Sequence, residues 1–228
     1  RVVVAARDPD PRTDGQSIAL LQARDIAVET GVMATEARDA MAGFFLRQTT
    51  ARPQVTLKLA LSLDGRIALP DGSSRWITGP AARAHTHMER ARHDAILVGA
   101  GTVRADTPRL DVRLPGLEAR SPRPIMLGRG APLDGWTAIR DPQDIADLPN
   151  VDHLMVEGGA ATAAAFLRAD LVDRLLLYRA PILIGEGRAA IGDIGLERLD
   201  AAHGRWRLTD SRMLGPDRLE VYARLRNA

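Results

Sequence analysis

Three apolar runs in this chain each lead into glycine. Ala95-Ile96-Leu97-Val98 empties into Gly99-Ala100-Gly101-Thr102, Pro124-Ile125-Met126-Leu127 into Gly128-Arg129-Gly130, and Leu154-Met155-Val156-Glu157 into Gly158-Gly159. An unbroken apolar run of this length predicts a strand covered on both faces, and helical stretches between such runs predict a largely parallel sheet. Ligands of such sheets gather beyond the carboxyl ends of the strands, so a site is expected at these glycine-containing ends.

A further run is patterned differently. Val55, Leu57, Leu59, Leu61 and Leu63 alternate with Thr56, Lys58, Ala60 and Ser62, the period of a strand with one core face and one face open to a cleft. Asp64-Gly65 ends it as a turn. Lys58 reads either as a solvated lysine on a half-exposed strand or as an ammonium held over a bound molecule. Upstream, a buried strand 2–6, a helix 16–24, a short strand 26–28 and a helix 35–48 form an α/β fragment whose two strands hardly make an independent sheet. Residues 49–53 are the expected linker, because a helix should not run through Pro53. Downstream come a polar loop 69–75 and a helix capped by Thr78, with Pro80 in its first turn, running to about Arg92. A helix of small residues is expected from Ala160 to Arg168, then a strand 174–178 extended by 181–184. The alternating segments 205–213 and 218–225 around Leu214-Gly215-Pro216-Asp217 predict an antiparallel hairpin closing the sheet edge.

Composition narrows the partners. The 31 basic and 29 acidic residues are interspersed, giving a net charge of +2 without the basic block that a nucleic-acid surface needs. Cysteine is absent, which excludes disulfides, iron–sulfur clusters and thiolate zinc, and His85, His87, His93, His153 and His203 have no metal-ligand spacing, so no metal site is expected. No apolar run nears the roughly 18 residues of a membrane span and no leader precedes the first strand, so no membrane partner and a cytoplasmic location are expected. Because the chain opens on Arg1, preceding residues are expected in the native product.

Gly158-Gly159-Ala160-Ala161-Thr162-Ala163-Ala164-Ala165 is the strongest phosphate signal: free amides at a helix start, reinforced by the helix dipole, form an anion site. The same residues also fit a tight strand-to-helix turn with close packing. Neither a G-x-G-x-x-G nor a G-K-[ST] spacing is present. Glu157 ends an otherwise apolar strand, where a carboxylate needs a partner or a task. Arg90 and Arg113 read as a phosphate clamp or as solvated side chains, and Trp76 as core or as a stacking surface.

Taken together, Lys58-x-Ala60-x-Ser62-Leu63-Asp64-Gly65, Ser74-x-Trp76-Ile77-Thr78, the run Asp94 to Gly99 with Gly101-Thr102-Val103, Asp106, Pro108, Leu110 and Arg113, and finally Glu157-Gly158-Gly159 resemble, in order and spacing, the reductase domain of the bifunctional riboflavin-biosynthesis deaminase/reductase over about residues 55–225. The resemblance implies an α/β, dihydrofolate-reductase-like fold with a mostly parallel sheet, helices on both faces and a C-terminal antiparallel hairpin. It also implies NADPH-dependent reduction of the ribosyl group of 5-amino-6-(5-phosphoribosylamino)uracil, a phosphorylated aminopyrimidine, to ribityl, and a homodimer. By the same resemblance Ala60, Trp76, Thr102, Asp106 and the turn Gly159, Ala160, Ala161, Thr162, Ala163, Ala164, Ala165 contact NADPH. Ser74, Arg90, Leu110, Arg113 and Glu157 hold the substrate, with the arginines near its 5-phosphate.

The first fifty residues, through Asp8-Pro9-Asp10-Pro11, Gly31-Val32 and Phe44, resemble the closing part of the family's deaminase domain, giving residues 1–50 as its remnant and 54–228 as the reductase. The zinc motif of that domain is not in the chain. One departure stands out: Met126-Leu127-Gly128-Arg129 replaces a strand ending that usually carries aspartate. Arg129 is therefore expected either to recognise the 2′-phosphate of NADPH or to be a solvated turn residue. Hydride arriving at C1′ of the opened ribose needs a cation and a proton source nearby; Lys58 and Glu157 are the candidates, with their roles exchangeable, and water is the alternative proton source. A related reductase of another pyrimidine or pterin-like substrate, and a non-catalytic nucleotide-binding module, are the alternatives.

Overall fold

The computed structural model describes residues 1–226 and separates into two units, Arg1–Gln54 and Val55–Ala228. The expected reductase segment 54–228 thus has its last two residues outside the described residues. In the first unit β1 (Val2–Val4) pairs in parallel with β2 (Val28–Thr30), accompanied by α1 (Gln16–Gln22), α2 (Ala34–Ala40) and α3 (Ala42–Thr50). The strand expected to be buried over 2–6 is shorter and half exposed at Val3, and β2 starts two residues later than expected. The single helix expected over 35–48 is two helices broken at Met41, whose φ of −113° leaves the helical region. The second of these enters the expected linker and stops at Ala51, which turns left-handed two residues before Pro53. Arg52, next to the proline ring, is kept out of the α conformation in any case.

The second unit is built on an eight-stranded sheet in the order β11-β12-β9-β3-β8-β5-β6-β7. Its strands are β3 (Gln54–Leu61), β5 (Ala95–Gly99), β6 (Arg123–Leu127), β7 (Thr137–Ile139), β8 (His153–Val156), β9 (Arg174–Arg179), β11 (Trp206–Leu214) and β12 (Asp217–Arg224), and a small antiparallel pair joins β4 (Arg66–Ala68) to β10 (Arg188–Ala189). β9 with β3, β8 with β5, β5 with β6 and β6 with β7 run parallel, while the hairpin β11–β12 closes the edge antiparallel to β9. Period two explains how both faces are covered. Ala95 and Leu97 of β5 join the cluster that contains Ala163 and Phe166 of α6 (Ala160–Arg168), whereas Ile96 and Val98 join Ala100 and Val103 of α5 (Ala100–Asp106). On the latter side Ala82 of α4 (Pro80–Arg90) packs against Leu176, Tyr178 and Leu219. Phe166 is wholly buried, worth on the order of 1.5–3 kcal/mol in apolar transfer alone.

Several local expectations change. β3 ends at Leu61, and Leu63 lies half exposed on the turn after it, where the alternation no longer applies. Thr56 on its other face and Ser62 just past its end are also buried, so of the residues expected to face a cleft only Lys58 and Ala60 keep partial exposure. Thr78 does not cap α4: Gly79 is the cap residue, and its amide donates to the buried Asp217 carboxylate at 2.7 Å. Residues 181–184 form no strand, and Leu183 is largely exposed, because the Ile184 and Gly185 amides turn inward to donate to Asp64 instead. Gly101-Thr102 belongs to α5 rather than to an open turn. Among the described residues no helix is long and apolar enough to cross a membrane.

Candidate active site

Glu157 is the first residue after β8, and its amide continues the ladder by donating to Leu97 O at 2.9 Å. Its carboxylate, 11% exposed, receives Arg90 Nε at 2.7 Å and Nη2 at 3.0 Å, a bidentate pair from the last turn of α4. From the other side Lys58 Nζ of β3 approaches to 3.8 Å. Arg90 also donates Nη1 to the Asp111 carbonyl at 2.9 Å, which fixes the segment after α5 against α4. Lys58 Nζ lies 5.6 Å from the centre of the Tyr178 ring, and the buried Tyr178 hydroxyl is 2.8 Å from His85 Nδ1.

Two cations on one carboxylate set the electrostatics. Burial alone would raise the Glu157 carboxyl, but Lys58 and Arg90 outweigh it and bring it down to about 2, so it is an anion at any neutral pH. The Lys58 ammonium is displaced downward, first by burial and further by Arg90, with Glu157 opposing both. Lys58 therefore gives up its proton more readily than an ordinary lysine. Breaking such a buried cluster by removing one member is costly, because the remaining charges keep their desolvation and lose their partner.

Beside this cluster the strand ends are held by packing. A Cβ at Gly99 would collide with Thr162 Oγ1, and a Cβ at Gly158 with Thr162 Cβ and Cγ2, so only glycine lets β5, β8 and the start of α6 come this close. The N-cap of α6, Gly159, uses no side chain, and the amides of the first helical turn have no acceptor within the helix. Those amides and the dipole of a nine-residue helix fit the pyrophosphate of a dinucleotide. Ala163 and Ala164 are in the core, so within Gly159–Ala165 the surface is offered by Gly159, Ala160, Ala161 and Ala165.

The remaining expected residues differ in their exposure. Ala60 and Thr102 are half buried; Ser74 and Arg129 are exposed. Trp76, 65% exposed, is not core: the Arg83 guanidinium covers its ring at 4.8 Å. Asp106 lies 3.8 Å from Arg75. Leu110 is buried with a left-handed φ of 55°, and Arg113 is exposed, 3.4 Å from Asp111. The expected phosphate clamp of Arg90 and Arg113 is not assembled, because the Arg90 guanidinium is bound to Glu157 and to Asp111 O. Tyr178, His87 and Asp111 were not anticipated. His87 Nδ1 sits 3.1 Å from Asp111 O, and its position three residues before Arg90 on one helix face was the available signal. Tyr178 gave none beyond a hydroxyl within an apolar run.

A family model described as RibD C-terminal domain matches residues 53–139 and 143–219. The chain is 37% identical to the riboflavin biosynthesis protein RibD of Mycobacterium tuberculosis, with 96% of this chain and 68% of that protein covered. Among solved structures, Acinetobacter baumannii RibD superposes with a TM-score of 0.86 at 30% identity, covering 98% of this chain and 72% of that one. A Thermotoga maritima structure described as a diaminohydroxyphosphoribosylaminopyrimidine deaminase/5-amino-6-(5-phosphoribosylamino)uracil reductase gives 0.84 at 25% identity, over 98% of this chain and 71% of that one.

Proposed function

The chain belongs to the RibD C-terminal domain family, and on that premise we propose that it reduces the ribosyl group of 5-amino-6-(5-phosphoribosylamino)uracil to ribityl with NADPH. The broader statement, an oxidoreductase of riboflavin biosynthesis, follows from the family itself. The observation that supports the finer reading is the buried Lys58–Glu157–Arg90 cluster standing next to an uncapped helix start at the carboxyl edge of the sheet. A scaffold has no use for a lysine desolvated beside a carboxylate at the sheet's carboxyl edge.

When bound, reduced nicotinamide supplies a hydride to C1′ of the opened ribose. The electron pair displaced there collects on the neighbouring oxygen or nitrogen, which must then take a proton. Lys58 is the donor we assign, because its ammonium is destabilised by burial while Glu157 is held ionised and has no proton to give. Glu157 keeps Lys58 charged until transfer and fixes Arg90, whose remaining bond orders the substrate-side segment at Asp111. Gly159, Ala160 and Ala161 hold the pyrophosphate through their amides. Within the same proposal residues 1–50 close a deaminase domain, and the protein acts as a homodimer.

Oxidation of NADPH by the full chain, followed as loss of reduced-nicotinamide absorbance on adding the aminouracil ribose phosphate, tests the reading. Turnover that requires the ribosylated substrate and is abolished in Lys58→Met supports it. Turnover with pterins but not with this substrate would replace it by the related-reductase alternative.

A further inference from the structure

Arg109, Asp111 and Arg113 stand at alternate positions in the irregular segment after α5, while Leu110 and Val112 between them are buried at 6% and 2% exposure. The three polar side chains line a cleft of about 490 Å³ together with Ser121 and Glu118. Arg109 Nη2 reaches Asp111 Oδ2 at 2.8 Å, and Arg113 Nε lies 3.4 Å from Oδ1. That second contact is not a hydrogen bond: among the described residues the buried Oδ1 has no hydrogen-bond partner. Asp111 is thus a carboxylate held by one exposed arginine and only approached by another, with its backbone carbonyl pinned by Arg90. A buried acceptor left without a hydrogen bond is an unfavourable arrangement, and the carboxylate loses little when a better anion arrives.

We propose that Asp111 sets the affinity for the substrate's phosphate: its carboxylate stands in for that phosphate on Arg109 and Arg113, and binding requires the phosphate to take both guanidinium groups from it. The inference rests on reading Arg113 as a phosphate ligand and adds Arg109 as the second one. A phosphate dianion carries more charge than the carboxylate and offers three oxygens in place of two, so it matches two guanidinium forks where Asp111 satisfies one. The displaced carboxylate remains in the cleft and repels the dianion. The unmodified site is therefore weaker for phosphate than its two arginines would make it, and discharges its product more easily.

Calorimetric titration of the full chain with ribose 5-phosphate, and separately with inorganic phosphate, tests this directly. Asp111→Asn is expected to tighten both by about tenfold at low salt, because it removes one unit charge at ion-pair distance from a dianion and frees Arg109 from a competing ion pair. The variant should also show a steeper fall in affinity with added salt, since the cleft gains one net positive charge. Arg109→Ala, a change at a side chain 80% exposed and tolerable to the fold, should weaken binding about fivefold. Unchanged or weaker phosphate binding in Asp111→Asn overturns the proposal, as does indifference to Arg109→Ala. Tighter binding in a chain that fails to oxidise NADPH would keep this inference and sink the reductase reading; normal turnover with an indifferent Asp111→Asn would do the reverse.

Discussion

At Glu157 the chain brings two cations onto one buried carboxylate, and one residue later, at Gly158, it places no side chain at all. Both positions lie at the carboxyl end of β8, and they are maintained by different physics. The first tolerates little change of charge, because Lys58 and Arg90 have been taken out of water for the sake of one partner. The second tolerates little change of volume, because Thr162 occupies the space a Cβ would need. An isosteric substitution should therefore be ruinous at one and a single methyl group ruinous at the other.

The largest effect is expected from Glu157→Gln. The shape is kept and the charge removed, leaving two desolvated cations facing an amide. Stability in urea should fall by about 3–5 kcal/mol, and turnover should drop by at least about a hundredfold while NADPH binding changes little. The pH dependence carries the same signature. The folded Glu157 titrates at about 2 against an ordinary value of 4.5, so its contribution to stability is complete above about 4.5 and is lost as the pH falls toward 2. That part of the acid limb should be missing from the Gln variant. If Glu157→Gln unfolds within about 1 kcal/mol of the unmodified chain, charge is not what holds this side and the contrast collapses.

Gly158→Ala and Gly99→Ala sharpen the other side. Each should cost about 3 kcal/mol, toward the upper end for overpacking, and leave the pH dependence of stability unchanged. The two differ in how they can be relieved. The obstacle to a Cβ at Gly99 is Thr162 Oγ1, with Thr162 Cβ at an ordinary 3.8 Å, so Thr162→Ala should restore most of the loss. At Gly158 the obstacle includes Thr162 Cβ itself, which alanine retains, so the same second change should restore little. A double-mutant cycle on each pair reads the coupling directly. Equal rescue at both glycines would mean that the helix moves as a body and Thr162 is not the contact that matters.

The same division explains what the sequence made legible. Strand ends carrying glycine, the period-two run around Lys58 and the closing hairpin depend on neighbours in the chain, and each forms near its expected place, the period-two run ending two residues early at Leu61. The unexpected carboxylate of Glu157 signalled a partner without saying which. Arg90 and Lys58 reach it from positions 67 and 99 residues away, and only the sheet order β3-β8-β5 with α4 across one face makes them neighbours. Arg90 was accordingly expected at the phosphate and is found at the carboxylate. Capping failed for a similar reason: Thr78 had the chemistry of a cap, but Asp217, from the hairpin, reaches Gly79 and does the work of capping from outside the helix. Burial of Thr56 and Ser62 was also invisible, since a small polar residue on a strand reads the same whether its face is open or covered.

The smallest effect is expected at Arg129, where neither tight charge pairing nor tight packing applies. It lies between Gly128 and Gly130 directly after β6, exposed at the same edge of the sheet as Gly99 and Gly158. A guanidinium there suits a phosphate monoester by charge and by paired donors, and the 2′-phosphate is the one such group that distinguishes NADPH from NADH. Because the side chain is in water, its attraction is screened and must repay the ordering of a long flexible chain. Arg129→Ala should accordingly weaken NADPH binding only by about tenfold, near 1.4 kcal/mol, with NADH affinity and folding stability unchanged. Raising the salt concentration should erase the difference between variant and unmodified chain. Fluorescence titration with both cofactors at two ionic strengths measures all of this, and equal losses for NADPH and NADH would show that Arg129 supports the turn rather than the phosphate.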